Sequence, residues 1–76
     1  MSLEVKPVVL RGVTSYQFRD SGKLLATADP MNKAHADTMG VPNTYLWVRS
    51  NRGPMRVAPV ADIEQAKAQV AKWFGL

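Results

Sequence analysis

The segment "TSYQFRDSGKLLATAD", residues 14–29, leaves its backbone few options. Ahead of Asp20-Ser21-Gly22-Lys23, the rings of Tyr16 and Phe18 alternate with Gln17 and Arg19, and that period of two belongs to a half-buried strand. Gly22 supplies the positive φ that a tight strand-to-strand connection needs without steric cost. A β-hairpin is therefore expected. With a two- or four-residue loop, Phe18 would stand opposite Leu25 and Tyr16 opposite Thr27. These four would share one face, and Gln17 and Arg19 would point to the other.

The flanking segments carry their own punctuation. "EVKPVVLRG", residues 4–12, predicts an opening strand. Pro7 has no N–H to give, so this strand is expected at an edge or to begin after the proline. "DPMNKAHADTMG", residues 29–40, predicts a short helix with Asp29 as N-cap, Pro30 in the first helical position and Gly40 just past the end. Its apolar stripe is thin: Met31, Ala34 and Met39. After the connector "VPN", residues 45–57 read as a second hairpin turning at "NRGP" and continuing through "MRVAPV". The last element, "DIEQAKAQVAKWFGL", pairs a capping Asp62 with Gln65 and ends at Gly75. Ile63, Ala66, Val70, Trp73 and Phe74 fall on one face, opposite Glu64, Lys67 and Lys72. Adjacent Trp73 and Phe74 cannot both point squarely inward, so one is expected to stay partly exposed. The fold class that follows is α+β: a small antiparallel sheet of four or five strands in two hairpins, a short helix after the first hairpin, and a C-terminal amphipathic helix packed on one face.

At 76 residues without cysteine, residues 1–76 are expected to form one domain with neither disulfides nor a thiolate zinc site. Such a chain buries only about 60% of its unfolded surface, and its core supplies on the order of 3–5 kcal/mol. Apolar runs such as "VVL" at 8–10 are too short for a membrane span or a signal-peptide core, so a cytoplasmic setting is the default expectation. Ten Lys and Arg against six Asp and Glu give +4, a balance that favours phosphate or an acidic protein surface as partner.

Catalysis finds little material. His35 is the single histidine, and Asp37, two residues on, lies off its helical face. An ordinary surface or half-buried histidine is expected, with no metal and no cofactor. No serine has the context of an activated nucleophile, and the five glycines are scattered singly rather than gathered in a phosphate loop. A non-enzymatic protein is expected.

The second hairpin is richer. It sets Tyr45 and Trp47 beside Arg49, Arg52 and Arg56, with no acid between residues 45 and 57. In an even-numbered loop centred on Arg52-Gly53, Val48 would face Val57 and Arg49 would face Arg56. Leu46, Val48, Met55 and Val57 would then line the core, and Tyr45, Trp47, Arg49 and Arg56 would share the outer face with Arg52 at the tip. Facing like charges are unfavourable unless an anion sits between them. Aromatic rings beside guanidiniums are what single-stranded nucleic acid uses for stacking and phosphate neutralisation. A three-residue loop would instead place Tyr45 and Trp47 on the face of Val57, where they could join the core. The usual burial of tryptophan favours that second register.

The passage "YLWVRSNRGPMRVAPVADIEQAKAQVAKWF", residues 45–74, resembles in pattern the small sheet-plus-helix DNA-binding modules at the N-termini of tyrosine recombinases. The resemblance implies a nucleic-acid partner and leaves the first half of the chain without a counterpart. The expected function is a small binding module whose basic hairpin docks nucleic acid through Tyr45, Trp47, Arg49, Arg52 and Arg56. The alternative is a stand-alone protein-binding regulator or inhibitor, in the size class of phage-encoded accessory proteins, docking an acidic surface on a nucleic-acid-handling complex. A homodimer remains open in either case.

Overall fold

A computed structural model describes residues 3–76. Five antiparallel strands follow one another in space as in sequence: β1 (Glu4–Leu10), β2 (Val13–Asp20), β3 (Lys23–Pro30), β4 (Leu46–Ser50) and β5 (Val57–Val60). Helix α1 (Lys33–Met39) joins β3 to β4, and α2 (Ile63–Phe74) closes the chain. This is the expected α+β architecture. Its first two connections are the two-residue turns Arg11-Gly12 and Ser21-Gly22, with φ of 53° and 75° in one and 53° and 80° in the other. Positive φ at both central positions matches the right-handed twist of the flanking strands, so the opening strand joins the sheet as a hairpin too.

The β2–β3 register departs from the expected one. Asp20 and Arg19 pair with Lys23 and Leu24, then the register shifts, so that Phe18 meets Ala26 and Tyr16 meets Ala28. Leu25 is the extra residue of a β-bulge. The shift puts two fully buried alanines beside the fully buried Phe18 ring, where Leu25 and Thr27 had been expected. Small residues make room for the ring, and the bulge still leaves Leu25 buried. Beyond the bulge, alternation moves Thr27 to the opposite face.

Phe18, Ala26, Ala28, Val48 and Val60 form the inner face, and α2 lays Ala66 and Val70 onto it. Around them pack Val5, Tyr16, Leu46, Ile63, Trp73 and Phe74. Both C-terminal rings are half-buried, sharing the rim rather than dividing it into one inward and one outward. The α2 termini form as read. Asp62 Oδ1 accepts from the Gln65 N–H at 2.9 Å, and Gln65 Oε1 accepts from the Ala61 N–H at 2.9 Å. Gly75 takes the left-handed conformation.

The start of α1 corrects the expected cap. Asn32 is the N-cap, its side chain accepting from the His35 N–H at 2.7 Å, while Asp29 and Pro30 stay in β3. Cross-strand bonds hold the chain in the sheet for those extra residues. The Ser15 hydroxyl donates to Asp29 Oδ1 at 2.7 Å, and the Met31 N–H donates to the Tyr45 carbonyl at 3.1 Å. Met31 and Ala36 are buried, but Ala34 and Met39 of the expected stripe are exposed. Gly40 ends the helix in the left-handed region as expected.

Each edge strand carries a proline whose missing donor faces outward. The turn bonds Leu10 to Val13, so alternation makes Pro7 and Tyr16 a non-bonded pair with the Pro7 nitrogen pointing away from β2. The Ser50 N–H donates to the Arg56 carbonyl at 2.9 Å, which leaves Pro59, opposite Trp47, in the same position on β5. Strand addition at either edge would lack a central hydrogen bond. Among the described residues, no helix is long and apolar enough to cross a membrane.

On the outer face, Thr27 Oγ1 is buried without a hydrogen-bond partner among the described residues. An unpaired buried hydroxyl costs about 1–3 kcal/mol, and valine keeps the shape without the oxygen. Thr27→Val is expected to stabilise the protein by about 1 kcal/mol. The reading is a raised urea midpoint at unchanged m-value, and a lowered midpoint would show that the hydroxyl is satisfied.

Candidate functional site

The β4–β5 register is Leu46 with Val60, Trp47 with Pro59, Val48 with Ala58 and Arg49 with Val57. Residues 51–55 thus form a five-residue loop, and neither expected loop length is realised. The parity is that of the odd loop, yet the strand that turns over is β5. Leu46 and Val48 still face inward, now joined by Ala58 and Val60, while Val57 and Pro59 face out. Burying Val60 under α2 decides this choice, because Val57 is left 44% exposed and Val60 only 6%. Met55, expected in the core, lies in the loop at 81% exposure.

Trp47 consequently sits on the outer face, away from α2, without being bare. Its ring centroid is 4.4 Å from that of His35 at an interplanar angle of 66°, so α1 covers part of the indole. His35 is half-buried against that ring. One guanidinium, Arg49, follows Trp47 on that face.

Arg49 and Arg56 do not face each other. Arg49 Nη2 lies 3.4 Å from Asp29 Oδ2, between side chains 53% and 38% exposed, a pairing of little energetic weight. Arg56 goes to the inner side. Its Nη1 donates to the Trp73 carbonyl at 2.7 Å, where the C-terminus of α2 concentrates partial negative charge. Tyr45 enters β4 at the end remote from Arg52, separated from it by about 20 Å of extended chain. Arg56 is thus missing from the outer face expected from Tyr45, Trp47, Arg49 and Arg56 together. Trp47 and Arg49 share it, and Arg52 stands in the exposed loop beyond.

The meander assembles a different group. Alternate connections of an antiparallel sheet emerge at the same end, so the β2–β3 turn, the β4–β5 loop and the C-terminus of α2 lie together. This loop end gathers Arg19, Lys23, Arg52, Arg56 and Lys72, against Glu4 and Asp20, with Lys6, Arg49 and Asp29 nearer the middle of the sheet. The far end holds Asp37, Asp62 and Glu64, against Arg11 and Lys33. Arg19 and Lys23 escaped sequence reading as site residues. The signal that could have found them is the hairpin–hairpin order itself, which makes cations two connections apart into neighbours. Arg19 is held without an acid: it donates to Gln17 Oε1 from Nε at 3.2 Å and from Nη2 at 3.0 Å, and to the Gly22 carbonyl at 3.1 Å.

Within the loop end lies an open depression of about 300 Å³ lined by Arg49, Ser50, Asn51 and Met55. The loop around it is pinned. The Ser50 hydroxyl donates to the Pro54 carbonyl at 3.0 Å and accepts from the Arg56 N–H at 2.9 Å. The Asn51 N–H donates at 2.7 Å to the carbonyl of Leu25, the bulged residue of β3. No three His, Asp or Glu side chains among the described residues group to hold a metal ion. No protein-family model matches the chain, and no curated protein or solved structure matches it significantly.

Proposed function

We propose that this chain is a non-enzymatic, cytoplasmic binding module that docks a polyanion, specifically a nucleic acid, against its loop end. The observation that carries this reading is the separation of charge along the strands: one end basic, the other acidic. A net +4 spread evenly would serve solubility alone, whereas charge collected at one end gives a directed field that orients an approaching polyanion. Arg49, Arg52, Arg19, Lys23 and Lys72 are the phosphate ligands in this reading. Arg56 is held by α2, Trp47 flanks the site under His35, and Tyr45 has no part in it.

The test is a titration of a fluorescein-labelled single-stranded 12-mer at rising salt. Each neutralised phosphate of a single strand contributes about −0.7 to the slope of log affinity against log salt. Five such contacts predict a slope of roughly −3 to −4. Absence of binding, or binding indifferent to salt, rejects the proposal. A second reading, an acidic protein surface as partner of a stand-alone regulator or inhibitor, draws on the exposure of Met55 and Val57 beside Arg52, since apolar side chains among arginines suit a protein interface. Protein that purifies free of 260 nm absorbance and ignores the oligonucleotide would favour it.

A further inference from the structure

We infer that the depression between Arg49, Ser50, Asn51 and Met55 receives a single unpaired nucleotide, so that the loop end selects single-stranded over duplex nucleic acid. The inference rests on the polyanion reading above and assigns its partner's form.

Size is the first argument. At about 300 Å³ the depression lies at the bottom of the range for small-ligand clefts, enough for one nucleotide and open on one side. Its lining divides by chemistry in the way a nucleotide divides. Arg49 offers a guanidinium 53% exposed, tied only by a 3.4 Å contact to Asp29, and a phosphate can displace that carboxylate. Asn51 offers a side-chain amide, the group that pairs with a base edge as donor and acceptor at once. Met55, 81% exposed, offers a polarisable thioether of the kind that packs on aromatic rings. An apolar side chain so bare on a loop of polar neighbours has no packing role within this chain.

The second argument is preorganisation. The Asn51 backbone is fixed to Leu25 across the sheet, and the Ser50 hydroxyl staples both arms of the loop. A β-bulge at the rim of a sheet commonly re-aims a group at a site, and here the bulged carbonyl is the one that anchors Asn51. A base already paired and stacked in a duplex cannot present its face to Met55 and its edge to Asn51 together. An unpaired base can.

The experiment compares a labelled single-stranded 12-mer with the duplex of the same sequence at fixed salt. It uses the full chain and its Asn51→Ala and Met55→Ala variants, with adenosine monophosphate as competitor. The single strand is expected to bind about 10-fold or more tighter than the duplex, with each variant erasing about 5- to 30-fold of single-strand affinity and little of the duplex affinity. Adenosine monophosphate should displace the oligonucleotide from the parent chain. Circular dichroism verifies that both variants, altered only in an exposed loop, stay folded. Equal affinity for both forms, or a single-strand preference that survives both substitutions, overturns the inference while salt-dependent binding still upholds the polyanion reading. Loss of binding to every form overturns the two together.

Discussion

Phe18→Ala is expected to leave the chain largely unfolded at 25 °C. Among the described residues, Phe18 is one of three large side chains with no exposed surface, with Val48 and Val70, and it is the only ring among them. It stands between Val5 and Ala26 in the sheet, beneath a helix whose inward residues include the small Ala66. Removing such a ring costs about 3–5 kcal/mol, because the surroundings relax only partly into the cavity. A core of this size supplies on the order of 3–5 kcal/mol in all, and without cysteine no disulfide reinforces it. The two figures are equal, so the substitution consumes the margin. Phe18→Leu, which retains most of the volume, should cost about 1.5 kcal/mol or less and keep a cooperative urea transition. A cooperative transition in the alanine variant, with most of the parent's unfolding free energy, would show that α2 settles onto the alanine-rich floor and that this account of the core is wrong.

The second large effect concerns binding. Lys23→Ala, Arg49→Ala and Arg52→Ala combined should reduce the magnitude of the salt slope by about 2, and affinity at 0.1 M salt by about a hundredfold. The matched control removes Arg11 and Lys33 at the far end and the half-buried Lys67 midway along α2. Both triple variants fall from +4 to +1, so any difference between them reports placement rather than net charge. The control should lose little, since exposed charges beyond about 10 Å are screened at this salt. Equal losses in the two variants would show that diffuse charge, not the assembled end, attracts the polyanion. Arg56 is left in place because its bond to the Trp73 carbonyl holds the end of α2, and its removal would mix stability with affinity. Stability should change little in either variant, as the Arg49–Asp29 contact is exposed and long.

Much of the fold was legible before the structure. The Gly22 turn, both hairpins, the Asp62 cap, the α2 stripe and the Gly40 and Gly75 stops all form where local chemistry puts them, because each depends on residues within a turn or two of one another. The misreadings share a different cause. Whether Phe18 faces Leu25 or Ala26 costs nothing locally. It is decided by which side chains leave room for the ring under α2. Asp29 has good N-cap chemistry, but Ser15, fourteen residues earlier, competes for its carboxylate through the sheet and wins. Arg49 and Arg56 are separated by a single residue of register, and what sets that register is Val60 reaching the core.

The amino-acid sequence by itself determined where the chain turns, caps and alternates, since these follow from backbone sterics and hydrogen bonds among near neighbours. Tertiary packing alone decided which face each β5 residue takes and that Trp47 lies outward under His35. It also decided that Arg56 turns inward to the end of α2. Those outcomes depend on distances between segments remote along the chain, and a one-residue slip, invisible locally, exchanges the two faces of a strand.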